Sequence, residues 1–473
     1  MKGISVSENP ARPLRVAVIG SGPAGVYASD LLTKSDAVAD GEVDVSIDIF
    51  DRYPAPFGLI RYGVAPDHPR IKGIITSLHK IMENSKLRFF GNVEYGTDVT
   101  LAELREHYDA VIFATGAYYD ASLHIPGIEL EGSYGAADFV AWYDGHPDVS
   151  REWTLDAKEI AVLGNGNVAL DVARVLSKHA DDLLVTEIPD NVYEGLKKSP
   201  VTDVHIFGRR GPAQMKFTPL ELRELAKSRD VDIVLHEEEF QYDEASEAAI
   251  ESNNQIKALI KTLDKWREEQ KETPGTASRR LHLHFLQSPA EIVGDENGKV
   301  RAIRMERNEL DGAGGIRPTG ETVEYPVQAV YRAIGYHGSE LPEIGYDVTR
   351  GVIPNEEGRV LDETESPIPG LYATGWIKRG PVGLIGSTKS DALETITHLL
   401  EEREFTASDA DADSIPGFLE SKGIEYTTWE GWHTLDEHEQ SLGQEATDAE
   451  GNPRKRVKVV PREDMVQISR SGQ

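Results

Sequence analysis

The chain alternates short apolar runs with amphipathic stretches. "LRVAVIG" (14–20) is a continuous apolar run ended by glycine, the pattern of a strand covered on both faces. The stretch after it, "SGPAGVYASDLL", opens on small residues and continues with helical spacing. "VDVSIDIFD" (43–51) and "YDAVIFATGA" (108–117) read as further strands. "KEIAVLGNGNVALDVARVL" (158–176) then repeats the strand–glycine turn–helix order, and "VTDVHIFGRRG" (201–211) is the strand that should follow. "VQAVYRAIGYHG" (327–338) and "IPGLYATGW" (368–376) are two more strands stopping at glycine. Strands alternating with helices predict an α/β protein with largely parallel sheets. Segment 238–280 reads as charged helices, "SDADADS" (408–414) as a polar break, and "EGNPRKRVKVVPRED" (450–464) as solvated surface.

The repeat carries more than any single element. Gly20 of the first unit corresponds to Gly164 of the second, so the chain holds two Rossmann-like dinucleotide-binding domains rather than a solenoid. The glycine-ended strands near 114–116 and 333–335 read as the crossings between them. One domain is then split, residues 1–116 and 336–473, and the other, 117–335, is inserted.

In Gly20-Ser21-Gly22-Pro23-Ala24-Gly25 the first glycine makes the tight turn, the second admits a pyrophosphate to the backbone, and the third allows helix and strand to pack closely. The helix N-terminus supplies free N–H groups for the phosphates. Asp51 ends the next strand, where an acid can accept hydrogen bonds from ribose hydroxyls. It lies further from the turn than the usual spacing of about 20 residues, behind the polar loop "KSDAVADGEVD".

The second motif is Gly164-Asn165-Gly166-Asn167-Val168-Ala169, and its next strand ends in Arg209-Arg210. An acid there would repel a 2′-phosphate, whereas arginine grips phosphate with charge and a planar donor fork. This unit is therefore expected to take NADP(H), the alternative being a solvated arginine pair. Two dinucleotide sites in one chain imply flavin plus nicotinamide, so the first unit suits FAD. "LYATGW" suits the flavin end of that unit, with Trp376 near the ring system or packed as an interface tryptophan. "GPVGLIGS" (380–387) offers the main chain of Gly383, Leu384 and Ile385.

Composition narrows the chemistry. The 473 residues include no cysteine, which removes disulfides, thiolate metal sites, iron–sulfur ligation and any Cys-x-x-Cys redox pair; no metal site is expected. The 81 Asp and Glu against 50 Lys and Arg give a net charge of −31, which argues against nucleic-acid binding through phosphates. No apolar run is long enough for a membrane span, and no signal-peptide core precedes the first strand, so a cytoplasmic protein is expected, with a monomer favoured.

"PFGLIRYGVAPDHPRIKG", "RFFGNVEYG", "GNGNVALDVAR", "FGRRGPAQMKFTPLELREL", "YRAIGYHG" and "GWIKRGPVGLIGSTKSDA" together resemble the adrenodoxin-reductase-type ferredoxin–NADP reductases, the bacterial branch most closely, from about residue 14 to 396. The resemblance implies FAD contacts at Ala24, Asp51, Leu59, Val93, Trp376 and Gly383 to Ile385, with Gly116 in the turn beside them. It implies NADP contacts at Asn165, Gly166, Asn167 and Val168, at Arg209, Arg210 and Glu221, and again at Gly383. It implies a couple near the nicotinamide formed by His68 and Glu224. Asp51 stands where the family usually has Glu. The residues also allow blander roles: His68 as an exposed first-turn residue of a helix, and Glu221 as the third residue of a capping box opened by Thr218 and Pro219.

The activity implied is hydride transfer between NADPH C4 and flavin N5, followed by single-electron exchange with a ferredoxin-type iron–sulfur protein. Ferredoxins are usually acidic, so docking requires a local basic patch, for which Arg209, Arg210, Lys216, Arg223, Lys227 and Arg229 are candidates. A thioredoxin-reductase-type enzyme and a glutamate-synthase small subunit both need cysteines and are excluded. An NADPH-dependent flavin monooxygenase remains the alternative.

Overall fold

The computed structural model describes residues 12–273, 275–383 and 385–472. Four strands open the chain: β1 (Leu14–Ile19), β2 (Val45–Asp51), β3 (Leu87–Gly91) and β4 (Ala110–Phe113). They lie parallel in the order β4-β1-β2-β3. Both faces of β1 are covered, which is why its sequence is a continuous apolar run. Leu14, Val16 and Val18 enter one cluster with helix Pro23–Thr33, while Ala17 and Ile19 enter another with Phe50 and Phe113. The one charge within β1, Arg15, is fully buried and is matched by Asp48 at 2.6 Å.

The chain leaves this sheet through the two-residue strand β5 (Tyr119–Asp120). A second sheet follows from β6 (Ser133–Gly135), β7 (Glu159–Leu163), β8 (Asp203–Phe207), β9 (Val231–Leu235) and β10 (Arg279–His284). Strands β11 (Gln287–Gly294), β12 (Val300–Leu310) and β13 (Ile316–Tyr325) make an antiparallel sheet that had no counterpart in the sequence reading. With β14 (Ala329–Arg332) the second sheet is complete, in the order β6-β14-β7-β8-β10-β9. The return passes through β15 (Tyr336–His337), which pairs antiparallel with β5, so the two crossings run side by side. Finally β16 (Asn355–Glu356), β17 (Arg359–Leu361) and β18 (Pro367–Ala373) rejoin the first sheet, β18 parallel to β4. The expected charged helices are present as Glu244–Ser252 and Asn254–Glu272.

One expectation is overturned. The basic run near the C-terminus is not solvated surface: Arg454 and Lys458 are each 3% exposed, and Val457, Val459 and Val460 are buried. Lys458 Nζ donates to the carbonyls of Arg61 (2.6 Å) and Asp144 (2.9 Å) and pairs with Glu187 at 2.8 Å. Lys72 joins the same carboxylate at 2.8 Å. The run is a strap whose cations are needed because the two units meet across buried acids. No described helix is long and apolar enough to cross a membrane.

Candidate active site

Both glycine turns leave open ground at the same place. Gly20 has φ +114°, and a Cβ there would sit 2.4 Å from the Ala114 carbonyl oxygen. A Cβ on Gly25 would sit 2.0 Å from the Gly20 oxygen. These outer glycines are demanded by backbone packing. Gly22 is different: the nearest atom to its Cβ position is Gly58 Cα at 4.0 Å. Helix Pro23–Thr33 starts there with no side-chain cap, so its first N–H groups are left for a ligand.

The residues around this turn converge on the C-terminal end of the first sheet, the usual ligand edge of such folds. The Asp51 carboxylate accepts the Ser21 N–H (2.8 Å), the Ser21 hydroxyl (2.6 Å) and the Tyr53 N–H (2.9 Å). Burial raises its pKa, and those hydrogen bonds hold it back in part. The short acid thus clasps the glycine turn to the end of β2. Val93 is buried and its N–H donates to the Asp51 carbonyl at 2.9 Å. The Phe57 N–H bonds the Ser21 carbonyl at 3.1 Å, which lays Gly58 over Gly22 and starts the short helix at Leu59. A Cβ on Gly375 would meet Ala24 Cβ at 2.5 Å, so the β18 turn packs on the first helix. Half-buried Trp376 comes next. Gly116 and Gly383 both have positive φ, Ile385 opens helix Ile385–Glu401, and Leu384 lies outside the described residues. The Thr115 hydroxyl beside Gly116 is buried without a partner. An open, uncapped phosphate turn and an orphaned hydroxyl at one sheet edge fit a dinucleotide such as FAD.

The second motif repeats this geometry. Gly164 has φ +139°, and its Cβ would sit 2.2 Å from the Ala333 oxygen, whereas nothing lies within 4 Å of a Cβ on Gly166. Helix Asn167–Ser177 again has no side-chain cap. Asn165 and Asn167 fasten the neighbouring loop, accepting the Lys216 N–H (3.1 Å) and the Thr218 N–H (3.0 Å); Val168 packs half-buried against the core. Arg209 and Arg210 follow β8. Their carbonyls are held by Asn308 Nδ2 (2.9 Å) and the Leu286 N–H (3.1 Å). Both side chains are exposed, and neither guanidinium makes a hydrogen bond or ion pair with a described residue. The backbone is fixed and the heads are free, which fits the 2′-phosphate of NADP(H).

His68 is 5% exposed and its Nε2 lies 2.8 Å from Asp171 Oδ1. It stands just before the short helix Pro69–Lys72 without capping it through its side chain, and it is not an exposed first-turn residue. Asp171 also pairs with Arg174 at 2.9 Å, and Arg174 grips Asp67 bidentately at 2.7 and 2.8 Å. Arg174 and Lys178 together hold the Asp67 carboxyl well below its ordinary range despite its burial. Glu224 lies elsewhere: its carboxylate pairs with Lys227 at 2.7 Å. Glu221 is 4% exposed and one of its oxygens has no partner. Half of a capping box is present, since the Glu221 N–H reaches Thr218 Oγ1 at 3.4 Å. The Thr218 N–H goes to Asn167 instead, so the Glu221 side chain does not close the box; burial raises its pKa, and a backbone N–H and His68 hold it back in part. The sequence reading missed Ser21, Thr115, Asp171, Arg174 and Asn308. Asp171 and Arg174 stand at helical spacing in "ALDVAR", a signal too common to single out.

A family model described as pyridine nucleotide-disulphide oxidoreductase matches residues 14–205, from β1 into β8. Over 471 residues, 97% of its length, the chain is 39% identical to a NADPH-ferredoxin reductase, FprA, of Mycobacterium tuberculosis, covering 99% of that protein. The chain belongs to the adrenodoxin-reductase family. Within that family it is also 37% identical, over 94% of its length, to the mitochondrial NADPH:adrenodoxin oxidoreductase of Bos taurus, of which it covers 90%. The solved structure of M. tuberculosis FprA in complex with NADPH superposes with a TM-score of 0.85, covering 97% of this chain and 100% of that one. The protein is a flavoprotein oxidoreductase of the adrenodoxin-reductase family, and with no cysteine in the chain it uses no protein disulfide.

Proposed function

We propose that the chain is an FAD-dependent ferredoxin–NADP(+) reductase, a cytoplasmic enzyme whose FAD unit comprises residues 1–116 and 336–473 and whose NADP unit is 117–335. The observation that carries the reading is the pair of unpartnered guanidiniums, Arg209 and Arg210, beside the open turn at Gly166. Bound FAD supplies the chemistry of hydride exchange at N5 with nicotinamide C4 and of one-electron exchange with an iron–sulfur protein. The chain supplies position and electrostatics. Arg209 and Arg210 bind the 2′-phosphate, and the N–H groups at Gly166 and Asn167 take the pyrophosphate. Glu221 accepts hydrogen bonds from the nicotinamide end. Asp171 orients His68: a carboxylate only accepts, so the Nε2 that faces it carries a proton. Glu224, paired with Lys227, takes no part in a couple with His68.

Ferredoxin docking is assigned to Arg209, Arg210, Lys216, Arg223, Lys227 and Arg229, all exposed. Lys227 and Arg229 sit beside Glu224 and Asp182, at 2.7 and 2.8 Å.

The deciding experiment mixes FAD-loaded protein with NADPH without oxygen, then adds ferredoxin and cytochrome c. The flavin should bleach, and cytochrome reduction should depend on ferredoxin. Flavin that stays oxidised ends this reading. NADPH oxidation that needs oxygen and an organic substrate replaces it with a monooxygenase.

A further inference from the structure

Four histidines stand together in the inserted unit, on the face of the second sheet that packs against the three-stranded sheet. His205 on β8 and His282 on β10 are direct cross-strand neighbours, His284 lies two residues further along β10, and His236 follows β9. The Tyr325 ring of β13 covers His205 and His284, at 5.8 and 5.1 Å between centroids. Within this group a ring nitrogen from each of His205, His282 and His284 lies within 4.8 Å of one from each of the others.

The outer nitrogens of two of these rings are fixed by carboxylates. His282 Nε2 is 2.9 Å from Asp203 Oδ1, and His284 Nδ1 is 3.2 Å from Glu239 Oε1. Glu239 acts as an acceptor throughout, taking the Phe285 N–H (2.8 Å) and the Gln287 amide (2.5 Å) as well. A carboxylate acceptor places the ring proton on the nitrogen facing it, so the opposite nitrogen carries a lone pair. Those lone pairs are on His282 Nδ1 and His284 Nε2. His284 Nε2 receives the His205 Nδ1 proton at 3.1 Å. His282 Nδ1 is buried and has no partner. A carboxylate behind the imidazole and an unshared lone pair in front is the arrangement found around imidazole-bound metals.

We propose that His205, His282 and His284 form a binding site for one divalent transition-metal ion of the imidazole-preferring kind, with Asp203 and Glu239 as outer partners. Zn²⁺ is the natural probe, with a fourth, tetrahedral position left for water. The three rings stand 6–19° from parallel, so an ion on one lone pair lies off the planes of the other rings. Binding therefore turns a ring about χ2. His205 is the ring that turns: its swing breaks the bond to His284 and frees His284 Nε2, while Asp203 and Glu239 keep hold of His282 and His284. Such a site also ties β8 to β10 immediately before the loop that carries Arg209 and Arg210.

A surface cluster of His79, Glu83 and His433 is the weaker candidate. The Trp432 indole N–H donates to His79 Nε2 at 3.2 Å, which puts the His79 proton on the nitrogen that faces Glu83.

The test uses tag-free, FAD-loaded protein dialysed against ZnCl₂, with bound metal measured by mass spectrometry. The wild type should hold one equivalent more than the double variant His205→Gln/His282→Gln, and His433→Gln should not change that excess. Asp203→Asn keeps three rings but frees the His282 tautomer, and should weaken Zn²⁺ roughly 10- to 100-fold. Co²⁺ in the wild type should give the visible bands of a tetrahedral nitrogen site, absent in the double variant. If circular dichroism shows the double variant unfolded, His282→Gln alone is read in its place. No saturable uptake by the wild type, equal uptake by the histidine variants, or loss of the ion in His433→Gln overturns the proposal.

Discussion

Arg209 and Arg210 meet no described carboxylate in a chain that carries 81 acidic residues. Charge-assisted hydrogen bonds to phosphate are each worth about 1.5–3 kcal/mol. Arg209→Ala with Arg210→Ala should therefore raise the KM for NADPH roughly 100-fold, with kcat within about threefold and the FAD absorbance intact. Steady-state ferricyanide reduction reads KM and kcat, the visible spectrum of the purified protein reads the FAD, and an unchanged KM would return the pair to the solvated surface. Glu221 makes a different case. Burial raises its pKa, so the folded state holds its proton more tightly than the unfolded chain does. The carboxylate's burial penalty is relieved as pH falls through the raised value and is fully present above it. Glu221→Gln should then be no less stable than wild type at pH 7.5 in a urea melt, and yet turn over NADPH more slowly. A clear loss of stability would mean that the carboxylate has a structural partner.

At the level of elements, the two strand–turn–helix units were legible because their glycines do different physical jobs. Gly164→Ala drives a Cβ to 2.2 Å from the Ala333 oxygen at φ +139°. It should cost roughly 3 kcal/mol or more, visible as a lower melting temperature. Gly166→Ala meets no atom within 4 Å and a φ that alanine tolerates, −106°. It should change stability by no more than about 1 kcal/mol while raising the NADPH KM at least roughly tenfold, because the methyl occupies the phosphate's ground. Equal effects of the two changes on melting would contradict this division. Strands β1, β2, β4, β7, β8, β14 and β18 were readable for the related reason that strands covered on both faces are largely apolar, whereas β3, β6, β9 and the charged β10 were not read. Nor were strands β11 to β13: β11 is mostly half-buried, no residue of β13 is buried, and "IRPTGETVEY" has the composition of a loop. Asp171 and Glu221 were hard to rank by spacing alone, since what sets them apart is a contact across the seam and a capping bond made by Asn167 instead.

The whole molecule is decided at that seam, which local pattern could not show. A run such as "PRKRVKVV" looks solvated until the acids it meets, Asp144 and Glu187, are brought to it from other parts of the chain. Glu187 is held well below its ordinary range by Lys458 and Lys72, while burial pushes Lys458 itself down to about 8. Removing one partner of a buried pair leaves the other uncompensated, which typically costs about 3–5 kcal/mol. Because Lys458 already carries a burial penalty, Lys458→Met should sit near the low end, about 3 kcal/mol at pH 7.5. The pH dependence identifies the cause. A lysine with a lowered folded pKa sheds its proton in the folded state near pH 8, while the unfolded chain keeps it until about 10.4. The unfolded state binds more protons over that interval, so the Lys458 contribution to stability rises with pH there. Urea midpoints taken at pH 7.5 and 9.5 should show this rise in the wild type relative to Lys458→Met. Parallel midpoints in the two proteins would mean that Lys458 is charged throughout, and that the seam is held by ordinary ion pairing instead of a cation kept at the edge of deprotonation.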